Sequence, residues 1–226
     1  SPPSHHHHRL TTLALKHKMT TPTRQSIFNI LHSSPDYASC LRSLLSLRLP
    51  PPHDREIVRV AVHSAGGEKK TNKFYGILLN ALAEEDEGAR FTVRLTYWDV
   101  FKRLPTTSVR RAGNLANLLV DLVRGGTVVL GDVVRNVDFA GVGTEGEAVF
   151  FSVFFGRIID EAEGEGEVKG WFRGMGETVR EGMGVFFQKF VRRDRRNVKG
   201  SEWRGKFKAV RKALGEYRRE GEEGRQ

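Results

Sequence analysis

The sequence contains a single cysteine, Cys40. One cysteine excludes an intramolecular disulfide and any zinc site built on several thiolates. Cys40 lies three residues after Tyr37 and four before Leu44, on an apolar helical face, which predicts a small buried side chain and not a nucleophile. A chain without disulfides is typical of a reducing intracellular compartment.

Long hydrophobic runs are also absent. The longest fully apolar run, Ala148 to Phe151, is far shorter than the roughly 18 residues that a membrane-spanning helix needs. The first residues, SPPSHHHHRL, contain no hydrophobic region of a signal peptide. The sequence therefore predicts no membrane contact. Because it does not begin with methionine, we interpret it as a piece of a longer protein.

Motifs that carry catalysis are scarce. Lys70 and Thr71 follow a glycine pair, but a phosphate-binding loop needs a glycine directly before its Lys-Thr pair, where Lys69 stands. His53 and His63 are too far apart to bind one metal ion from a single helix. The sequence predicts a protein that is not an enzyme, with no cofactor, no metal site and no small-molecule substrate.

Positive charge, by contrast, is abundant and unevenly distributed. The net charge is +10 and the isoelectric point is about 10. Residues 1–162 carry 20 basic and 16 acidic side chains, a net +4, whereas residues 163–226 carry 17 and 11, a net +6. The shorter part holds most of the excess, which favours a basic appendage that contacts an anionic polymer over charge that serves only solubility.

Two amphipathic helices are predicted in the middle of the chain. Pro105 ends the first, because proline cannot continue the backbone hydrogen-bond ladder. The second begins after Thr107 or Ser108 and ends at Gly125 and Gly126. Two helices joined by so few residues pack as an antiparallel hairpin. The predicted apolar stripes are Phe91, Leu95, Trp98, Phe101 and Leu104 in the first helix, and Val109, Ala112, Leu115, Ala116, Leu119, Leu122 and Val123 in the second.

Similar patterns predict helices on both sides of this hairpin. Four begin near residues 24, 37, 54 and 74, and an acidic loop is predicted at residues 84–88. Residues 128–130 are interpreted as an extended segment or the start of a short helix. Residues 148–159 are apolar nearly all round, which favours a central buried helix, although their phenylalanines would equally suit a strand.

These elements together predict an all-α fold: a HEAT-like stack of antiparallel helical hairpins, with six to eight helices in residues 24–160, followed by a basic helical C-terminal extension. We divide the chain into a disordered or weakly ordered linker or tag at 1–22, a helical-repeat domain at 23–162, and the extension at 163–226 with a disordered end. The linker contains four consecutive histidines at 5–8 that lack an acidic or cysteine partner.

The extension contains the clearest chemical pattern. One glycine-rich helical pattern spans residues 171–191, and a basic amphipathic helix follows, with Trp203, Phe207, Val210 and Leu214 on its apolar side. Cations on one helix face bind phosphates through counterion release, without reading sequence. A solvated charged face and a helix docked on an acidic protein surface are the alternatives. The predicted RNA-binding residues are Arg192, Arg193, Arg195, Arg196, Lys199, Arg204, Lys206, Lys208, Arg211 and Lys212.

A set of short motifs resembles the MA-3 domain (also written MA3), a HEAT-like helical module, in the variant found in the nucleolar MIF4G-domain-containing protein family. The resemblance covers roughly residues 23–160. The matching residues are Ser33, Ser34, Asp36 and Tyr37; Arg55, Glu56, Ile57, Val60 and His63; Asn72, Phe74 and Tyr75; Trp98, Asp99 and Phe101; Asn114, Leu115, Ala116, Leu118 and Leu119; and Val137 to Phe139.

This resemblance implies a nucleolar factor for maturation of the small ribosomal subunit and its 18S rRNA. The implied partners are pre-rRNA and pre-ribosomal proteins, with a DEAD-box RNA helicase as a further candidate. In that family a MIF4G domain, which is absent here, engages such a helicase. Arg110 and Arg111 are the predicted protein-binding residues, and Arg94, Lys102 and Arg103 are further exposed candidates on the outer faces of the central hairpin.

Overall fold

A computed structural model describes residues 12–191 and 201–223, with the side chains of residues 12–191 and 202–215. Within these ranges the chain contains no strand, and none of its helices is long and apolar enough to cross a membrane. A helical turn at residues 12–16 comes first. The helices that follow are α1 (Pro22–Ser33), α2 (Tyr37–Ser46), α3 (Arg55–Gly67), α4 (Phe74–Glu85), α5 (Glu87–Arg103), α6 (Val109–Arg124), α7 (Leu130–Val134), α8 (Glu145–Asp160), α9 (Glu165–Phe172), α10 (Glu177–Phe186) and α11 (Ser201–Glu223). A 3-10 turn at Leu104–Thr106 follows α5, and a π-helical turn at Phe187–Val191 follows α10.

The helices stack as a row of hairpins. α1, α3, α6 and α8 pack side by side in chain order, α2 packs on α4, and α5 packs against α3 and α4. Consecutive hairpins that contact only their neighbours are the arrangement of HEAT-like repeats. The predicted all-α, HEAT-like fold is confirmed.

Side-chain caps set several of the helix starts. The Thr21 hydroxyl accepts a hydrogen bond from the backbone N–H of Arg24, with Pro22 in the first helical position. Asp36 caps α2 through the N–H of Ser39 at 2.8 Å. Thr144 begins α8 with a reciprocal capping box. These signals are local in sequence, so these helices begin close to their predicted positions.

The connection between α4 and α5 differs from the prediction. Instead of an acidic loop over residues 84–88, the structure has helix up to Glu85 and again from Glu87, with Asp86 between them. The Asp86 carboxylate accepts from the N–H of Gly88 at 2.8 Å and caps α5. The acidic residues are tolerated in helix because two of them lie in the first turn of α5 or at its cap, where they interact favourably with the helix dipole.

The buried face of α5 is rotated from the predicted stripe. Phe91 is 44% exposed, and Trp98 and Phe101 are half-buried, whereas Thr92 and Tyr97 are buried. The two polar side chains can be buried because their hydroxyls have partners: Tyr97 donates to the Leu115 carbonyl at 2.9 Å and Thr92 to that of Gly88 at 2.9 Å. A count of apolar residues alone misses such positions.

The predicted stripe of α6 is confirmed. All its members are buried except Val109, which lies in the first turn. The helix ends where the glycines predict. A Cβ on Gly125 would collide with the amide of Asn80, and Gly126 adopts a positive φ of 72° that L side chains rarely tolerate. The segment after it forms the short helix α7, the second of the two predicted alternatives.

Residues 145–160 form the central buried helix α8, and the strand alternative is wrong. α8 packs on α6 along its length, and its phenylalanines enter the core. Gly146 permits its close approach to the preceding turn, because an added Cβ would collide with the Leu104 carbonyl and lie 2.7 Å from that of Thr107.

The core does not stop at the predicted domain limits. On the N-terminal side, Ala14 and Met19 are buried, so residues 12–19 of the predicted linker are part of the packed structure. On the C-terminal side, Phe172, Phe187 and other buried residues of the extension belong to the same hydrophobic cluster as α8. The change at residue 163 is therefore one of composition and not a gap in packing.

The helices of the extension also differ from those predicted from the sequence. The single helical pattern over residues 171–191 is divided into α9, α10 and the π turn. The break lies at Gly174, whose φ of 78° ends α9. At the other end, α11 extends to Glu223, where the composition predicts disorder from residue 221, and residues 224–226 lie outside the described part.

Candidate nucleic-acid interface

Helix α11 separates its apolar and basic side chains onto different faces. Trp203 and Val210 are buried, and Phe207 and Leu214 are half-buried against α9 and α10. Residues 204, 208, 211 and 212 share the opposite face, because a spacing of three or four residues returns to the same side of a helix. The exposed cations of this face, which we call the α11 basic face, are Arg204, Lys208, Arg211 and Lys212.

Lys206 does not belong to this face. Its side chain is 7% exposed, and its ammonium pairs with Glu202 at 2.7 Å and donates to the Asp160 carbonyl at 3.3 Å. The residue lies on the apolar side of the helix, where a long aliphatic stem can be buried while the charged end finds partners. A phosphate contact at Lys206 would require these bonds to break, so the structure removes it from the predicted RNA-binding set.

Five other predicted RNA-binding residues cannot be placed. Arg192, Arg193, Arg195, Arg196 and Lys199 lie outside the described residues. Their contact with RNA stays a prediction.

A groove of about 630 Å³ runs between α10 and α11. Arg204 and Arg211 line one wall, and Glu177 and Glu181 line the other. The stacked rings of Trp203 and Phe207, 4.9 Å apart, are among its lining residues. Arg204 and Arg211 are also members of the α11 basic face, so this face borders the groove. Glu177 and Glu181 make the groove interior a poor path for a phosphate backbone, which favours phosphate contact on the side of the face away from them, where Lys208 and Lys212 lie.

The two predicted protein-binding residues, Arg110 and Arg111, have different environments. Arg110 is exposed. Arg111 is half-buried, and its guanidinium donates to the carbonyl of His63 at 3.3 Å and lies 3.4 Å from the Nδ1 of that ring. Burial, and then the charge of Arg103, lower the pKa of Arg111. Arg110 is open to solvent on the outer surface, whereas Arg111 can be reached by a partner only through a cleft between helices.

The structure also forms a site that the sequence analysis missed. Five cationic side chains line a cleft of about 570 Å³ enclosed by residues 17–19, α1, α3, α5 and α6. Asp99, at the cleft edge, is 3.5 Å from Lys102. No local sequence pattern predicts this cleft, because its cations are up to 93 positions apart in the sequence. We call it the basic cleft, and its cations are Lys18, Arg24, Arg59, Arg103 and Arg111.

The pKa of His63, one of two histidines that line the basic cleft, reflects its burial and the positive charge around it. Burial, followed by the positive charges of Arg111, His17 and Arg24, lowers the pKa of His63 to about 4. The ring is therefore neutral at physiological pH and can accept the hydrogen bond from Arg111 at Nδ1.

Residues 23–128, which contain α1 to α6, match the family described as MA3 domain. The chain contains an MA3 domain. The resemblance found in the motifs is thus confirmed over the helical hairpins, whereas the α11 basic face lies outside the matched residues.

Longer relatives contain a similar segment. The mouse protein named Nucleolar MIF4G domain-containing protein 1 is 30% identical over 132 residues, which cover 58% of this chain and 15% of that protein. Its human counterpart is 28% identical over 132 residues, with the same coverage. Suppressor of glycerol defect protein 1 of Schizosaccharomyces pombe is 30% identical over 161 residues, 68% of this chain and 20% of that protein. The chain spans a fifth or less of these relatives.

Proposed function

We propose that this chain is a non-enzymatic, RNA-associated scaffold of nucleolar pre-ribosomal particles that supports small ribosomal subunit and 18S rRNA maturation. The similar proteins from mouse and human are named nucleolar, which supports the location. The observation that supports RNA contact is the α11 basic face, which presents its cations outward from a packed helix.

The proposed role of the helical hairpins is to hold α11 in a fixed position. The stacked hairpins form a carrier whose core is continuous with the extension, so α11 is held in a defined place relative to the MA3 domain. Its cations neutralise phosphates and release counterions, which gives affinity without base readout. Sequence selectivity in the particle then comes from its other components.

The test is a salt titration of RNA binding. In Arg204→Ala/Lys208→Ala/Arg211→Ala, three phosphate contacts are lost, and the slope of log K against log [salt] should become shallower by about 2 for single-stranded RNA. Fluorescence anisotropy with a single-stranded RNA oligonucleotide between 50 and 200 mM salt measures both affinity and slope.

The matched control is Lys69→Ala/Lys70→Ala/Lys73→Ala, which removes the same charge from exposed positions near the start of α4. It should leave the slope close to that of the unchanged protein. An equal change in both triple variants would show that net charge alone matters and would contradict a dedicated RNA-binding face on α11.

The alternative is a regulator that binds a DEAD-box RNA helicase of the translation-initiation or splicing type through the helical-repeat surface. It is supported by the resemblance of the motifs and by the exposure of Arg110 beside the central hairpin. Pull-down with a purified helicase and measurement of its ATPase rate test it. A complex that Arg110→Glu weakens would favour this alternative, and no complex at micromolar concentration would exclude it.

A further inference from the structure

Among the described residues, the five cations of the basic cleft are close to only two carboxylates, those of Asp99 and Glu56. Glu56 carries one negative charge but pairs with two cations, Arg24 at 2.5 Å and Arg59 at 2.8 Å. Arg103 and Arg111 have no carboxylate within ion-pair distance in the described part of the chain. Side chains of like charge repel in a concave site, where solvent screens them less than on an open surface. An anionic ligand would relieve that repulsion.

The backbone at the cleft rim is also unusual. Lys18 has a φ of 62°, the left-handed conformation that glycine adopts most readily. It ends the helical turn at residues 12–16, with the N–H of Met19 bonded to the Ala14 carbonyl at 3.0 Å and its own N–H to that of Leu15 at 2.9 Å. A lysine here costs more conformational energy than glycine would, and the geometry places it at the cleft.

Apolar side chains share the cleft with the cations. Val60, Val100 and Leu115 are among its lining residues, whereas no phenylalanine, tyrosine or tryptophan of the described chain lines it. Single-stranded RNA is usually held by bases stacked on aromatic rings as well as by phosphate contacts. Two imidazole rings, His17 and His63, do line the cleft, but they are half-buried and pack edge to face on each other, so they offer no open platform for a base. Cations beside aliphatic side chains therefore fit a peptide better than a nucleotide.

We propose that the basic cleft is a docking site for an acidic peptide segment of a partner protein. Its carboxylates would pair with Lys18, Arg103 and Arg111, and one aliphatic side chain would lie against Val100 and Leu115. A volume of about 570 Å³ is within the range of about 300–1,000 Å³ that small ligands occupy, so the cleft accommodates a few residues and not a folded domain. This site is separate from the α11 basic face.

The proposal is tested with a fluorescein-labelled peptide of about ten residues, rich in glutamate with one central leucine. Lys18→Glu/Arg103→Glu reverses two exposed cleft charges without touching the half-buried Arg111. We expect peptide affinity measured by anisotropy to fall about tenfold or more, since opposed charges in an interface discriminate strongly. Lys69→Glu/Lys70→Glu, with the same charge change on an exposed surface, should change it less than about twofold.

A charge swap distinguishes loss of the site from loss of the fold. The Lys18→Glu/Arg103→Glu protein should bind a lysine-rich version of the peptide more tightly than the unchanged protein does. This gain in affinity for the lysine-rich peptide requires a folded cleft, so it supports the proposal.

The proposal is overturned if the acidic peptide does not bind at 100 micromolar, if the cleft and control variants lose affinity equally, or if the cleft variant gains no affinity for the lysine-rich peptide over the unchanged protein. The triple variant of the α11 basic face should retain peptide binding. A loss there would assign the peptide to α11 and refute the cleft, whatever the outcome for RNA.

Discussion

At the scale of single residues, His63 couples the basic cleft to the stability of the fold. It lies on α3, half-buried, and belongs to the set of short motifs whose sequence resembles the MA-3 domain. Its neutral ring can accept a hydrogen bond from Arg111. The Arg111 guanidinium lies next to Gly66, where an added Cβ would be 3.0 Å from the Arg111 Cζ. Protonation would place a second positive charge against this guanidinium.

Stability should therefore fall as the pH is lowered from about 6.5 towards about 4. In this window the unfolded chain, with an ordinary histidine pKa of 6.5, binds a proton that folded His63 does not, so the stabilisation is complete above 6.5 and lost as pH falls towards the folded pKa. The full pKa difference corresponds to about 3 kcal/mol, and screening of a half-buried ring reduces the expected loss to about 1–2 kcal/mol. Urea unfolding at pH 7 and pH 5 measures it.

The control is His63→Gln, which preserves an acceptor for Arg111 but does not titrate. Its stability should depend less on pH across the same window. A residual dependence is expected from His32, whose pKa burial also lowers. An unchanged pH dependence in His63→Gln would contradict this assignment.

At the scale of helices, Arg157 connects α8 to α6. Its guanidinium donates to the Asn117 carbonyl at 2.8 Å and pairs with Asp121 at 2.6 Å, and it also bonds Glu161 one turn further along α8. The side chains of Arg157 and Asp121 are each less than a fifth exposed. The network fixes the orientation of two helices whose contact is otherwise largely apolar.

Removing Arg157 should be costly. Arg157→Ala leaves Asp121 and the Asn117 carbonyl without their charged partner, so we expect a loss of about 2–4 kcal/mol in the free energy of unfolding. Arg124→Ala is the matched control, because Arg124 forms a more exposed pair with the same Glu161 at 2.8 Å and should cost about 1 kcal/mol or less. Equal losses in chemical denaturation would show that the buried network has no special role.

At the scale of the whole molecule, a cluster of phenylalanine rings joins α8 and the segment before it to the extension. The ring of Phe186 on α10 lies 6.1 Å from Phe151, 5.8 Å from Phe155 and 6.2 Å from Phe139. Aromatic pairs at such distances add to the burial of their apolar surface. A chain cut at residue 163 would leave these rings in water, so charge substitutions on the intact chain are the sounder test of RNA binding.

Truncation of this ring should destabilise the whole chain. Phe186→Ala removes a fully buried side chain at the centre of the cluster, and we expect a loss of about 3–5 kcal/mol in one cooperative transition. The adjacent Val185, 49% exposed, is the control, and Val185→Ala should cost less than about 0.5 kcal/mol. Local unfolding of α10 and α11 with an unchanged transition for α1–α8 would contradict the single core.

The sequence by itself determined most helices of residues 22–160 and several of their ends, because these depend on residues within one or two turns. The stripe of α6, the stop at Pro105 and the glycines after Arg124 were all readable from spacing, and short motifs sufficed to indicate the MA3 family. These signals require no knowledge of which helices become neighbours.

Only the tertiary structure decided which face each helix buries and which charges meet. Tyr97 can be buried because its hydroxyl donates a hydrogen bond to the carbonyl of Leu115, 18 residues away in sequence. Lys206 is not available to RNA because its ammonium donates a hydrogen bond to the backbone carbonyl of Asp160, on another helix. The basic cleft joins Lys18 to Arg111 in the same way. Periodicity describes one helix at a time, whereas burial and electrostatics depend on contacts between residues far apart in the chain.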